Sequence, residues 1–453
     1  MTLRFGTDGV RGLANDELTP ELVVALGRAA AAELGGSCFL VGRDTRRSGP
    51  LLHAALAAGI QSEGVDVVDL GVLPTPGVAA RSAELGVPAA VVSASHNPFA
   101  DNGIKLFAAG GRKLLDEVEE RVERHLSQFL SAGGAAGRPG ARPTGAGVGT
   151  TTIDGQAAAR YRERLVAGLG GRRLEGLSVA LDCANGAAAG IAAPAFTEAG
   201  ARVVATLADR PDGTNINDGC GSTDPSGLAE AVRVDHADVG LAFDGDADRV
   251  IAVDGTGTVV DGDRLLALFA LDLRRRGLLA DDTVVVTVMT NLGFHRAMAA
   301  AGVAVHTTDV GDRNILAALY AHGWSLGGEQ SGHLVFGRLA TTGDGILSGL
   351  LLADLLVRAS LPLAQLAGGV MESFPQVLRN VPVPDRSRLA GASEVWEEVA
   401  AVEADLGADG RVLLRPSGTE PFVRVMVEAV APELAEAAAD RLEAAVRGAL
   451  PAA

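Results

Sequence analysis

The sequence predicts an α/β protein: three similar α/β/α domains with mixed sheets, plus a smaller C-terminal α+β domain, around a central cleft. Three observations predict it. A unit of strand, polar turn, helix, glycine and strand recurs from about Cys38, Leu177 and Thr283. At 453 residues the chain is too long for one core and suits three or four domains. Beyond about Gly369 the unit gives way to strands flanking two longer helical stretches. The expected domains are 1–150, 151–253, 254–368 and 369–453.

In chain order, LRFGTDGVRG at 3–12 is a glycine-rich opening with two cations. A helix starts near Thr19, where Thr-Pro-Glu supplies an N-cap, a proline at the first helical position and an early acid. Residues 38–42 read as a strand ending in Arg43-Asp44-Thr45-Arg46. The spacing of Leu51, Leu52, Ala55, Leu56 and Ile60 predicts a helix over 48–63, with a strand at 65–70. The apolar run 87–92 is a buried strand that Pro98 must stop, and Asp101-Asn102-Gly103 is a turn tripeptide. Residues 131–149, rich in Gly, Ala and Pro, read as a flexible connection. Strands at 177–181 and 200–204 bracket a small-residue helix in the second unit, and 283–289 and 302–305 bracket one in the third. In the last unit, strands at 376–383 and 411–414 flank a helix at 393–406, and a strand at 422–429 precedes a helix at 433–449.

Five polar islands interrupt these elements: SASHNPFADNGIK (93–105), DGDADR (244–249), GDR (311–313), GGEQSGH (327–333) and RPSGTE (415–420). Open α/β sheets place their chemistry at the carboxyl ends of strands, where these islands fall. DGDADR sets Asp244, Asp246 and Asp248 at alternate positions, which on an extended backbone share one face. Oxygen ligands alone suit a hard cation such as Mg²⁺; the bland alternative is a solvated acidic turn. RPSGTEPFVR offers Arg415, Ser417, Gly418, Thr419 and Arg424, the guanidinium, hydroxyl and amide set of a phosphate cradle. Glu329 and Ser331 can hold sugar hydroxyls or an amine. His333 is either an acid/base group or a hydrogen-bonded loop residue. Ser95 is the nucleophile candidate: the absence of a GxSxG elbow argues against a serine esterase, and a serine beside a metal triad can carry a phosphoryl group, with Lys105 exchanging the hydroxyl proton. His96 braces the same loop.

Composition narrows the class. Hydrophobic residues make up 47% of the chain and the net charge is −17, which argues against a general nucleic-acid or anionic-membrane binder. Three scattered cysteines without CxxC give neither a disulfide framework nor a zinc site. With no signal pattern or apolar run of membrane length, the expectation is a cytoplasmic protein. No GxxxxGK[ST] is present, which counts against a nucleotide triphosphatase. Lys105 and Lys113 are the only lysines, so the ammonium inside the key loop stands out against a chain that otherwise uses arginine.

Taken together, these islands resemble, in order and over essentially the whole length, the α-D-phosphohexomutase superfamily. FGTDGVRG and GGEQSGH resemble its glucosamine-phosphate branch. The resemblance implies a phosphoserine at Ser95, with Ser93 where some relatives have Thr. It implies Mg²⁺ held by Asp244, Asp246, Asp248 and the Ser95 phosphate, and a phosphate loop of Arg415, Ser417, Gly418, Thr419 and Arg424. Glu329 and Ser331 grip the sugar, with Asp312 and Arg313 of the GDR island in the same substrate set. Arg11 and Arg249 add charge near the reacting phosphoryl, Lys105 is the general acid/base, and His333 joins the catalytic group. The implied reaction interconverts glucosamine 6-phosphate and glucosamine 1-phosphate, toward UDP-N-acetylglucosamine and cell-wall precursors. Glucosamine 1,6-bisphosphate or glucose 1,6-bisphosphate primes it. The partner is a small amino-sugar phosphate, with no nucleic acid or membrane, on a monomer or homodimer. Alternatives are a phosphomannomutase/phosphoglucomutase of broad sugar use, a metal-dependent sugar phosphatase and a silent sugar-phosphate-binding protein. The last domain is expected to hinge near Gly368-Gly369 and close over substrate.

Overall fold

The computed structural model describes residues 9–131, 142–417 and 421–450. Its strands form four sheets, one for each unit expected from the sequence. The first contains β1 (Val10–Leu13), β2 (Cys38–Arg43), β3 (Asp66–Val72), β4 (Ala89–Val92), β5 (Asp101–Ala108), β6 (Arg112–Lys113) and β7 (Thr151–Ile153). Its order is β1-β5-β4-β2-β3-β7, with β6 on β5. Strands β4, β2, β3 and β7 run parallel, and β5 and β1 close the other edge antiparallel. The second sheet contains β8 (Ser178–Asp182), β9 (Arg202–Leu207), β10 (Val239–Phe243), β11 (Val250–Asp254) and β12 (Val259–Val260), in the order β12-β11-β10-β8-β9. The third contains β13 (Thr283–Thr287), β14 (Ala304–Thr308), β15 (Leu326–Gly328) and β16 (Leu334–Phe336), in the order β14-β13-β15-β16. The last is antiparallel, β17-β19-β18, built from β17 (Gln376–Pro382), β18 (Gly410–Pro416) and β19 (Phe422–Ala429).

Helices follow the expected signals. Thr19 caps helix Pro20–Leu34, its hydroxyl accepting from Leu22 N at 3.3 Å, as Ser/Thr caps do. Helix Gly49–Gln61 buries Leu52, Ala55, Leu56 and Ile60 but leaves Leu51 of the expected apolar spacing exposed, and Ser393–Leu406 and Pro432–Ala449 cover the last sheet. One apolar core runs through the first three units, from Leu40, Val91 and Phe107 through Leu181 and Phe243 to Val284 and Phe336. The last unit has its own core around Val381, Val399, Val425 and Leu442. The first three units therefore form a continuous packed body, and the fourth is a separate lobe. Among the described residues no single helix is long and apolar enough to cross a membrane.

Several expectations need correction. Asp101-Asn102-Gly103 is the start of strand β5, not a turn. Asn102 satisfies its own side chain within the sheet, donating to Ser48 Oγ at 2.9 Å and accepting from Gly103 N at 2.8 Å, which removes its preference for a turn. Strand β4 ends at Val92, well before Pro98, because Ser95 takes a left-handed φ of +53° that a ladder cannot include. Gly368 and Gly369 lie inside the last turn of helix Leu363–Val370, and the non-helical chain that joins the third unit to the fourth begins just beyond them, at Met371. The first sheet extends past residue 150 through β7, and the second extends past 253 through β12, because these short strands complete hydrogen-bonded edges. Of the connection expected at 131–149, residues 132–141 lie outside the described residues. The rest is tied down, with Gly149 N donating to Gln61 O at 3.1 Å.

Candidate active site

Strand β4 runs out into Ser93-Ala94-Ser95-His96, and strand β10 runs out into Asp244–Arg249. The two loops meet. Ser95 Oγ donates to Asp244 Oδ2 at 2.5 Å. Gly245 must be a glycine there, since a Cβ on it would stand 2.6 Å from Ser95 O. The three aspartates converge, each offering a carboxylate oxygen within 4.8 Å of the others, and all are buried. The route differs from the extended segment expected from alternate spacing. The segment is the loop of the β10–β11 hairpin, and Ala247, at φ +57°, reverses the chain.

The partners of this triad are unequal. Lys105, on β5, reaches Asp246 Oδ2 at 2.8 Å and Asp248 Oδ2 at 3.3 Å. Thr75 Oγ1 donates to Asp246 Oδ2 at 2.5 Å and its backbone N to Asp246 O at 3.0 Å. The other oxygens, Asp246 Oδ1 and Asp248 Oδ1, are buried with no hydrogen-bond partner. Burial, then Asp248 and Asp246, push the Asp244 carboxyl well above its usual range. Burial also acts on Asp248, but Lys105 and His333 outweigh it and hold that carboxyl well below. A site with two orphaned carboxylate oxygens and a carboxyl driven up by its own neighbours is short of positive charge. A hard cation on oxygen ligands fits it.

His96 Nδ1 stands 3.3 Å from Ser95 Oγ. Burial, then Arg249 and Arg11, lower its pKa to about 4, so the ring is neutral near pH 7. Arg11, on β1, reaches Asn97 Oδ1 at 3.4 Å, and Arg249 lies 3.9 Å from Asp248 Oδ1. Both guanidiniums act electrostatically on His96 of the serine loop.

His333 lies beside the triad, on Asp248. It is 2% exposed. Its Nδ1 lies 3.7 Å from Asp248 Oδ1 and its Nε2 3.6 Å from Asp312 Oδ2. Burial opposes its charging, and Asp248 and Asp312 favour it, with a net upward shift. The Gly343 N–H, 3.2 Å from Nε2, makes that nitrogen an acceptor and assigns the proton to Nδ1, facing Asp248. The loop around it, 329–333, joins β15 to β16 and seats on β11. Gly332 O accepts from Val250 N at 3.0 Å, and at φ +87° a Cβ on Gly332 would meet Val250 O at 2.1 Å. Glu329 is half-buried, with Oε1 accepting from Gly311 N at 3.1 Å. Ser331 is exposed at the tip.

The GDR island divides. Asp312 faces His333 and pairs with Lys113. Arg313 pairs with Asp116 and, at 2.5 Å, with Glu119 on helix Asp116–Ser131, so it joins the first unit to the third instead of standing open to a substrate. In the fourth unit Arg415 and Arg424 lie directly opposite each other on β18 and β19. Like charges so placed destabilise a sheet unless an anion joins them. Burial, then Arg424, lowers the Arg415 pKa. Ser417 is buried, with its carbonyl accepting from Arg386. Gly418 and Thr419 lie outside the described residues.

Sequence reasoning missed Thr75, Asp44, Arg46 and Asn217. The signal for two of them was present. Arg43-Asp44-Thr45-Arg46 ends a strand of the first unit as the other islands do. Thr75 opens helix Thr75–Leu85 and Asn217 sits in an irregular loop, and neither carries a pattern.

Comparisons with known proteins agree with this geometry. Family models for phosphoglucomutase/phosphomannomutase match in four consecutive pieces: alpha/beta/alpha domain I at residues 2–131, domain II at 159–257, domain III at 261–374 and the C-terminal domain at 378–445. A curated phosphoglucosamine mutase from Rhodococcus opacus is 52% identical over 449 residues, covering 98% of each chain. A crystal structure of a phosphoglucomutase/phosphomannomutase family protein from Burkholderia thailandensis superposes with a TM-score of 0.82 at 27% identity, covering 100% of this chain and 99% of that one. An N-acetylphosphoglucosamine mutase from Aspergillus fumigatus, solved with GlcNAc-6P and magnesium, shares the fold at a TM-score of 0.69 and 18% identity, covering 99% and 96%.

Proposed function

Since the chain belongs to the phosphoglucomutase/phosphomannomutase family and is a phosphohexomutase, we propose that it interconverts glucosamine 6-phosphate and glucosamine 1-phosphate through a phosphoserine at Ser95. The observation that carries the site assignment is the Ser95 hydroxyl on Asp244, inside a buried triad that retains two unpartnered oxygens. The amino-sugar assignment rests on relatives 52% identical over 98% of the chain that bear the name phosphoglucosamine mutase.

Asp244, Asp246 and Asp248 hold a divalent cation, of which Mg²⁺ is the best match to an all-oxygen set. Bound there, it neutralises charge on the transferring phosphoryl oxygens. The chain's residues do the rest. Phospho-Ser95 gives its phosphoryl group to O1 of glucosamine 6-phosphate. The sugar hydroxyl loses a proton and the serine oxygen gains one. Lys105, its ammonium held by Asp246 and Asp248, exchanges these protons as general acid/base, and His96, 3.3 Å from Oγ, braces the serine. The resulting 1,6-bisphosphate turns over, its 6-phosphoryl group returns to Ser95, and glucosamine 1-phosphate leaves. Arg11 and Arg249 stabilise the negative charge that accumulates between the oxygens.

Because the sugar is bound in both directions, the phosphate left outside the transfer needs one holder that accepts either end. Arg415 and Arg424, opposed across two strands with Ser417 beside them, supply it. Glu329 and Ser331, presented on the loop that seats against β11, contact the ring. His333 orients Asp248 from behind. Primed by glucosamine 1,6-bisphosphate or glucose 1,6-bisphosphate, the enzyme works in the cytoplasm, where its product leads toward UDP-N-acetylglucosamine.

The test is turnover of glucosamine 6-phosphate, glucose 6-phosphate and mannose 6-phosphate with primer and Mg²⁺, followed by ³¹P NMR. Conversion of the glucosamine ester to its 1-phosphate, faster than the others, is expected. Equal use of all three overturns the amino-sugar assignment, and accumulation of inorganic phosphate indicates a phosphatase.

A further inference from the structure

Arg46 has no part in the chemistry described above, yet both terminal nitrogens of its side chain are committed to carbonyls of residues 95–101. A guanidinium carries five N–H donors in one rigid plane. Nε donates to Asp44 Oδ2 at 2.9 Å. One terminal nitrogen donates to the carbonyls of Pro98 and Asp101, the latter at 3.1 Å. The other donates to Ser95 O at 2.9 Å and Asn97 O at 2.8 Å. The side chain is fully buried, where an ionised group is tolerated only with its donors matched in this way.

The grip extends to both peptide groups of the serine. Ser95 N donates to Ser93 Oγ at 3.0 Å, and that hydroxyl donates to Asp44 Oδ2 at 2.7 Å, the oxygen that Arg46 Nε also binds. From the second unit, Asn217 Nδ2 donates to the same two carbonyls, Ser95 O at 2.9 Å and Asn97 O at 3.2 Å. The segment carrying Arg46 is itself stapled across the domain boundary, with Thr45 Oγ1 donating to Asn185 O at 2.6 Å and Arg47 N to Gly213 O at 2.8 Å. Ser95 needs such support, since φ +53° is a strained conformation for a residue with a Cβ. It persists only where the surroundings over-determine it.

We propose that Arg46 is a positioning residue for phosphoryl transfer, holding Ser95 in its left-handed conformation so that one oxygen meets the aspartate triad and the sugar in both half-reactions. This rests on the reaction proposed above, in which the sugar reverses but the serine must not move. Substrate is gripped by the third and fourth units, which Arg46 does not touch, so its loss acts on the transfer step and not on binding.

Arg46→Lys keeps the charge but offers three donors on a flexible stem to five acceptors. Arg28→Lys is the control, because Arg28 is also buried in the first unit but its Nε binds Glu63 Oε1 at 2.9 Å, away from the serine loop. Steady-state kinetics should show kcat down roughly 10- to 100-fold for Arg46→Lys, with KM within about twofold. Amide exchange over residues 94–102 should accelerate. Arg28→Lys should lower the melting temperature with kcat intact and exchange at 94–102 unchanged. Full kcat in folded Arg46→Lys, a kcat loss equalled by Arg28→Lys, or unaltered exchange at 94–102 would overturn the proposal. Should Arg46→Lys not fold, Asn217→Ala carries the same readouts in the same direction, and unchanged kcat and exchange in it would overturn the proposal equally. The exchange measurement needs no substrate. A wild-type protein inactive on every hexose phosphate would therefore sink the reaction assignment while the exchange still decides the role of Arg46.

Discussion

Two buried carboxylate clusters sit within the core body, and they are built to opposite ends. Asp272 and Asp354, on helices Gly262–Arg275 and Gly345–Ala359, are saturated with guanidinium. Arg358 spans both, reaching Asp272 at 2.9 and 2.7 Å and Asp354 at 2.9 Å, while Arg276 adds a bond to Asp272 and Arg172 one to Asp354. Burial raises the Asp272 carboxyl, but the hydrogen bonds from Arg358 and Arg276 leave it below the usual range. The triad of Asp244, Asp246 and Asp248 has three carboxylates, one ammonium on two of them, His333 and Arg249 only at 3.7 and 3.9 Å from Asp248 Oδ1, and two oxygens without a hydrogen bond among the described residues. Burial and number of acids do not distinguish these clusters. The unspent acceptors do: the first cluster is a closed strut between helices, and the second has room in its bonding for a cation. Asp263 is a third case. It is buried with neither a cation nor a guanidinium on it, and burial drives its carboxyl up to about 7, against the Asn291 N–H that it accepts.

The largest expected effect removes what the open cluster serves. Ser95→Ala should lower kcat by about 10⁴-fold or more while sugar-phosphate affinity, measured by calorimetry, persists; residual turnover near wild type would detach the serine from the reaction. Next comes the open cluster itself. Asp246→Asn should weaken divalent-cation affinity at least roughly 10- to 100-fold, read both from the Mg²⁺ dependence of kcat and from Mn²⁺ binding to the free protein by electron paramagnetic resonance. Unchanged Mn²⁺ affinity would erase the distinction between the clusters. The closed cluster should respond in stability alone. Arg358→Ala uncovers a buried acid and should cost about 1–3 kcal/mol, seen as a lower denaturant midpoint with kcat preserved.

The smallest effect concerns Asp263 and pH. Its folded pKa, about 7, lies above an unfolded value near 3.9. Its stabilising contribution is complete below about pH 4 and is lost as pH rises through about 7. Asp263→Asn should therefore gain stability relative to wild type between pH 5 and pH 8, by on the order of 2 kcal/mol. Denaturant midpoints across that range measure it, and a constant difference would contradict the raised pKa.

The sequence was most legible where pattern and chemistry coincide. Helix 393–406 and strand 422–429 were bounded correctly because periodicity and flanking breakers agree there. The three aspartates were recognisable from residue type and from the strand that precedes them, although the chain converges them by a tight reversal at Ala247 and not by an extended run. Residues whose role lies in satisfying a distant backbone were invisible. Arg46 serves four carbonyls up to 55 positions away, and a one-dimensional pattern contains no record of such acceptors. Arg313 was misread for the opposite reason. Its island looked like a ligand loop, but acids from the first unit, Asp116 and Glu119, occupy it. Gly368-Gly369 are helical despite being glycines, since glycine costs only about 1 kcal/mol in a helix, and Leu363 and Ala367 of the same helix are buried.

The central claim, that Ser95 stores and returns a phosphoryl group, is tested most directly by intact-mass and peptide mapping of the protein after exposure to glucose 1,6-bisphosphate and Mg²⁺. One phosphate on Ser95, removed again by excess hexose monophosphate with bisphosphate appearing in solution, is the predicted result. Mutase turnover with no phosphate on Ser95, or with phosphate on another residue, would contradict it.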